Sequence, residues 1–106
     1  MPKYLINASY SAEGAKGVAH DGGTGRRAAV EKMVSSVSGR LDAFYFAFGD
    51  SDVYAIVDLP DNTAAAALSL AVAQSGKAAT KTVVLMTAEE MDAATKKSVA
   101  YRPPGT

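Results

Sequence analysis

The chain has 106 residues, with eleven lysines and arginines set against eleven aspartates and glutamates, one histidine and no cysteine. That length makes residues 1–106 a single domain with one core, the charge balance gives no basic field for nucleic acid, and the missing thiol excludes disulfides, thiolate catalysis and cysteine-based zinc sites. No apolar run approaches the ~18 residues of a spanning helix and the N-terminus shows no signal-peptide pattern, so a cytoplasmic protein with no membrane partner is expected.

Lys3 to Tyr10 reads as the first strand, with Tyr4, Ile6, Ala8 and Tyr10 on one face. Ser11 is placed to cap a short turn through Ala12, Glu13, Gly14 and Ala15. Gly14 to Gly25 holds five glycines with His20 and Asp21, and reads as an irregular connection with a helical turn near Ala15 to Ala19. Thr24 is the expected N-cap of the first helix. Along it, Ala29, Val30, Met33, Val34 and Val37 form an apolar stripe, and Gly39 is placed as the left-handed residue that follows.

Leu41 to Phe48 and Val53 to Leu59 then form a hairpin around Gly49, Asp50, Ser51 and Asp52. In the first of these strands Phe44, Phe46 and Phe48 oppose Leu41, Ala43, Tyr45 and Ala47. In the second, Val53, Ala55, Val57 and Leu59 oppose Tyr54, Ile56 and Asp58. A sheet with one wet face alternates apolar with polar residues, so both faces of this hairpin are expected to be covered. Asp61 and Asn62 cap an alanine-rich helix, Thr63 to Ser75, that ends at Gly76. Lys81 to Met86 is the fourth strand. Thr87 and Glu90 have the spacing of a capping box, which opens a third helix from Ala88 to about Ser98 with Met91 and Ala94 inward. Tyr101 to Thr106 is an extended tail.

This order gives the fold class: α+β, a ferredoxin-like βαββαβ antiparallel sheet with an added C-terminal helix. Two helices cover only one face. The C-terminal helix and the sheet of a second copy are the expected covers of the other, which predicts a sheet-paired homo-oligomer.

At the hairpin turn the chain resembles the GYD domain family, named for a glycine, tyrosine and aspartate between the two central strands. Gly49, Ser51 and Asp52 stand at these positions, with serine in place of tyrosine. The likeness extends over KYLINASYS (3–11), the pair Arg26-Arg27, VDLPD (57–61) and YRPPG (101–105). Such proteins are similar to the dimeric α/β-barrel class. The resemblance therefore implies a small ferredoxin-like domain that pairs sheet to sheet, and it implies no particular reaction.

Arg26 and Arg27 stand in the first turn of the expected helix, where the helix dipole favours negative charge. Two guanidiniums and free backbone N–H groups there make a candidate anion site. The alternative is an ion pair to Asp21, Glu13 or an acidic residue of another copy. Neither G-x-G-x-x-G after the first strand nor G-x-x-x-x-G-K-[ST] occurs, so no phosphate loop is expected. His20 beside Asp21 is a candidate general base, set against a solvated loop histidine. A metal needs further ligands at a suitable spacing, and none is expected.

Asn7, Tyr4, Tyr10, Tyr45 and Tyr54 put polar tips on apolar strands. They either orient a small organic ligand or are core residues with one hydrogen-bond partner each. Asn7 is reminiscent of barrel-type monooxygenases, including haem-degrading ones, but the tryptophan and downstream histidine of those enzymes are absent and the activity does not transfer. The resulting expectation is a small cytoplasmic oligomeric domain that binds a small anionic metabolite through Arg26, Arg27, Asn7 and Tyr10, in a regulatory or accessory role. No cofactor is expected. The alternatives are a cofactor-independent monooxygenase or isomerase, and a purely structural oligomerisation domain.

Overall fold

The computed structural model describes residues 1–106. Its elements in chain order are β1 (Lys3–Tyr10), α1 (Ala12–Ser35), β2 (Arg40–Phe46), β3 (Val53–Asp58), α2 (Asn62–Ser75), β4 (Ala78–Leu85) and α3 (Ala88–Thr95). The four strands form one antiparallel sheet in the order β2-β3-β1-β4. This is the ferredoxin-like arrangement with a C-terminal helix added. No helix is long and apolar enough to cross a membrane.

Period-two alternation decides which side of each strand is inside. Tyr4 lies opposite Val57 on one side and Val84 on the other, and Ile6 lies opposite Ala55. With Val34 of α1 and Ala65 and Leu68 of α2, residues Tyr4, Val57 and Leu59 make the buried cluster. Each large side chain in it contributes about 1.5–3 kcal/mol through removal from water. Tyr4 is only 1% exposed, and its hydroxyl is satisfied by donating to Asn62 Oδ1 at 2.7 Å.

The glycine-rich stretch is the main departure from the sequence expectation. It is helical. Ser11, not Thr24, is the N-cap of α1, its Oγ accepting from the Gly14 N–H at 3.2 Å. The helix runs on to Ser35 with a single break at Gly22 (φ 76°, ψ 168°), a left-handed φ that glycine adopts without strain. Glycine weakens a helix by about 1 kcal/mol each, but Gly14 fits where no side chain can. A Cβ there would lie 1.9 Å from the backbone oxygen of Lys77. At the other end of α1, Ser38 (φ 63°) takes the left-handed conformation expected of Gly39. Gly39 is needed for room: its Cβ would meet Leu59 Cδ2 at 2.6 Å and Asp58 O at 2.7 Å.

The hairpin turn is held by Asp52. Its Oδ2 accepts from the Tyr10 N–H at 2.8 Å, its own N–H donates to Ala8 O at 2.8 Å, and its carbonyl accepts from Ala47 N–H at 2.9 Å. Asp52 thus ties the β2–β3 turn to the end of β1, and Ser51 beside it is buried. Gly49 does not have the positive φ that would demand glycine.

β4 begins at Ala78, earlier than expected, because it keeps pairing as far as Tyr10 of β1. β2 ends at Phe46 and leaves Phe48 wholly exposed.

α3 opens with the expected capping box: Thr87 Oγ1 accepts from the Glu90 N–H at 3.1 Å, and Glu90 Oε1 accepts from the Thr87 N–H at 2.9 Å. It does not pack as expected. It ends at Thr95, none of its residues is buried, and Met91 is 53% exposed. It therefore leaves the outer sheet face uncovered. The radius of gyration is 16.9 Å, against about 13 Å for a compact domain of ~100 residues, as befits a projecting C-terminal arm.

An isolated helix this short is marginal in water, so its cap carries much of its order. Thr87→Ala is expected to speed amide exchange at Met91 and Asp92 about fivefold, the equivalent of ~1 kcal/mol for a lost cap, with the global unfolding midpoint unchanged. Hydrogen bonds from the Thr87 backbone and hydroxyl hold the Glu90 carboxyl below its ordinary value of 4.5. The carboxylate's contribution is therefore complete above that value and lost as pH falls through the lower folded one. Acidification should fray α3 before the sheet.

Candidate functional site

Between the inner face of the sheet and the helices lies a cavity of about 110 Å³. β1 gives it Ile6, Ala8 and Tyr10, β3 gives Val53, Ala55 and Val57, and α2 gives Leu68, Ser69 and Val72. Of the 17 lining residues 14 are hydrophobic; the others are Arg26, Ser69 and Thr80. A mostly apolar hollow with a few polar groups is the usual make-up of a small-molecule site.

Helical geometry explains why Arg26 reaches it and Arg27 does not. Arg26, Ala29, Val30, Met33 and Val34 are spaced i, i+3, i+4, i+7 and i+8, so they share one face of α1, and all five line the cavity. Arg27 is turned about 100° around the helix. Its side chain is 56% exposed, with Nε 3.8 Å from Glu31 Oε1 one turn on. The break at Gly22 starts a second helical segment, so Arg26 and Arg27 both stand near its N-terminus, as expected, and it is the helix face that separates them.

The Arg26 side chain is 31% exposed, and Nη1 stands 3.6 Å from Asp21 Oδ2. Arg26 therefore reaches from the cavity wall to a surface carboxylate. Asp21 also lies 3.2 Å from His20 Nδ1. The His20 hydrogen bond first, with the nearby Arg26 charge adding to it, holds the Asp21 carboxyl below its usual range against the opposing effect of burial. His20 itself is 89% exposed and is not in the lining. Its position is that of a solvated histidine at the end of a helical segment.

Tyr10 lines the cavity; Asn7 does not. Asn7 pairs with Tyr54 and Lys81 in the register and points to the outer face, opposite to Ile6 and Ala8. Its Oδ1 is buried without a hydrogen-bond partner, an uncommon state for a polar atom. Of the four residues expected to bind together, the structure joins Arg26 and Tyr10, and sets Arg27 and Asn7 elsewhere.

Ser69 and Thr80 are site residues that the sequence reading passed over. Thr80 was hidden because β4 was expected to start only at Lys81; the alternation Ala78, Thr80, Thr82 marks the inner face once the strand is extended. Ser69 lay in an alanine-rich helix with no pattern to single it out. Its Oγ is 3.4 Å from Thr82 Oγ1.

A second charged group sits at the outer face near the end of β3. Asp58 Oδ1 accepts from Lys3 Nζ at 2.9 Å and Oδ2 from Arg40 Nη2 at 2.7 Å. Arg40 Nε also donates to Asp42 at 3.0 Å, and Lys3 bonds Asp42 as well. Hydrogen bonds to Asp42, then Asp58, push the proton affinities of Lys3 and Arg40 up, and the Lys3 bond holds the Asp42 carboxyl down. Two cations meet two carboxylates, so this cluster has no charge left for a ligand. It clamps β1, β2 and β3 at the bulge near Asp42.

The GYD domain family model matches residues 4–95, from β1 to the last residue of α3. No curated protein and no solved structure matches the chain.

Proposed function

The chain belongs to the GYD domain family, and we propose that this member binds a small anionic metabolite in the cavity beneath α1, in a regulatory or accessory role in the cytoplasm. The observation that carries this reading is Arg26: the one charged residue in the wall of a mostly apolar hollow. A partly buried cation gains from an anion that meets it, and the carboxylate beside it, Asp21, stands off at 3.6 Å. The lining contains no histidine, aspartate or glutamate. A group able to take up and return a proton near neutrality is missing from it, which favours binding over isomerase-type chemistry.

The test is a thermal-shift screen of small carboxylates and phosphates on the wild type, Arg26→Gln and Arg27→Gln. Binding should weaken at least about tenfold in Arg26→Gln, the ~1.5–3 kcal/mol of a charge-assisted hydrogen bond, and stay unchanged in Arg27→Gln. Equal shifts in all three proteins would remove Arg26 from the site and leave the structural reading.

The same reading includes self-association through the outer sheet face. α1 and α2 lie on the other side, α3 covers nothing, and Leu5, Ile56 and Val83 stand on this face, with Val83 46% exposed. The partnerless Asn7 carbonyl lies among them. A second copy of the face would cover both, burying on the order of 1,600 Å² in total. Sedimentation equilibrium at micromolar concentration should give a dimer or larger assembly, and Val83→Lys should dissociate it. A monomeric wild type would contradict the pairing.

A further inference from the structure

We infer that the ligand is a monocarboxylate with a compact apolar body, no larger than a benzene ring, and that Asp21 is the built-in competitor it displaces from Arg26. This rests on the reading of the cavity as an anion site and narrows it to a chemical class.

The size comes from the cavity. It measures about 110 Å³, less than the roughly 150 Å³ of an apolar cavity that encloses benzene in another protein, so one ring is the upper limit. A short branched chain fills it and a single ring enters with its carboxylate end outside; a nucleotide or a sugar phosphate does not fit. The apolar character comes from the lining, in which Ile6, Ala8, Val30, Met33 and Phe44 surround the space. Sugars and polyols would leave hydroxyls unpaired against these side chains, at a cost of a few kcal/mol each. Ser69 and Thr80 provide hydroxyls for one polar substituent or for the second carboxylate oxygen.

The single charge comes from the count of cations. Arg26 is the one charged residue in the lining. Arg27 is turned away to Glu31 and His20 is solvated. A dianion would bring a second charge to an apolar wall with nothing to meet it. One carboxylate matches the planar fork of one guanidinium.

Asp21 is itself a carboxylate at Arg26, so the free protein already displays the contact that the ligand would make. The contact is poor. Asp21 Oδ2 reaches one nitrogen, at 3.6 Å, with both side chains partly exposed, which places it among ion pairs of small energetic weight. Gly22 follows Asp21 directly and carries the break in α1. The turn with His20 and Asp21 can therefore swing away from Arg26 while the half of the helix that holds Arg26 stays packed.

Isothermal titration at pH 7 would compare sodium benzoate, disodium succinate, inorganic phosphate and benzyl alcohol on the wild type, Arg26→Gln and Asp21→Asn, each first checked for an unchanged melting profile. Benzoate should bind the wild type at least about tenfold more tightly than the other three. Arg26→Gln should lose at least about tenfold of that affinity. Asp21→Asn should gain about two- to fivefold, the release of a partly exposed ion pair. Succinate or phosphate binding through Arg26 as tightly as benzoate would overturn the monocarboxylate class and leave the anion site standing. An unchanged benzoate affinity in Asp21→Asn would overturn the competitor role. No Arg26-dependent binding by any of the probes would overturn the site and the inference together.

Discussion

Replacing Gly14 with alanine is expected to destabilise the protein by about 3 kcal/mol, at the upper end for an overpacked site. The new Cβ would sit 1.9 Å from Lys77 O and 2.9 Å from Lys77 C. Both atoms are backbone, so no side chain can rotate out of the way. The Lys77 carbonyl also accepts from the Ser11 N–H at 2.9 Å and from Ser11 Oγ at 3.1 Å. Relief therefore requires pulling the start of α1 off the α2–β4 connection and losing both bonds. Gly17→Ala is the control. A Cβ there meets nothing within 4 Å, and alanine is the better helix former, so a gain of about 0.5–1 kcal/mol is expected. Urea denaturation of both variants is the measurement. Similar midpoints would show that Gly14 is not pressed against Lys77.

Leu68→Ala is expected to cost about 3–4 kcal/mol, in the range for buried leucine truncation. Leu68 is 4% exposed and belongs both to the buried cluster and to the cavity wall. The void it leaves would merge with the existing 110 Å³ instead of being filled by neighbours, which puts the loss above the minimum for such a change. The same merger should shift ligand preference. Naphthoate should gain on benzoate in a competition assay, because the enlarged cavity admits a second ring. A variant that loses little stability and keeps the wild-type preference would mean that Leu68 does not wall the site.

Strand positions were legible wherever alternation and turn chemistry agreed. β1 was bounded to the residue, and the caps at Asp61, Gly76 and Thr87 were readable because each works through local hydrogen bonds or a local left-handed φ. The doubly apolar hairpin implied covers on both faces; within one chain α1 and α2 supply only the inner one. What failed was set by tertiary contact. Gly14 and Gly39 read as breakers, yet each is glycine because another segment's atoms occupy the space of its Cβ, and no local pattern encodes that. The glycines from Gly14 to Gly25 together hid the first helical segment of α1, before the break at Gly22.

The site was legible in part. The helix dipole points to Arg26 and Arg27 alike and does not separate them. The better signal was present in the sequence: Arg26 continues the i, i+3, i+4 stripe of Ala29, Val30 and Met33, and Arg27 does not. Asn7 could have been separated from Tyr10 by parity along β1, since three intervening steps put them on opposite faces. The cavity itself, and the places of Ser69 and Thr80 in it, depend on how α1 and α2 sit over the sheet. That spacing is a property of packing and has no sequence period.

The most direct measurement is a titration of isotope-labelled protein with sodium benzoate, followed by NMR. Shifts should concentrate on Ala8, Ala29, Met33, Val72, Thr80 and the Arg26 side chain, all in the cavity lining, and should vanish in Arg26→Gln. Shifts centred instead on Lys3, Arg40 or Lys81 at the outer face, or unaltered by Arg26→Gln, would contradict a carboxylate site inside the fold.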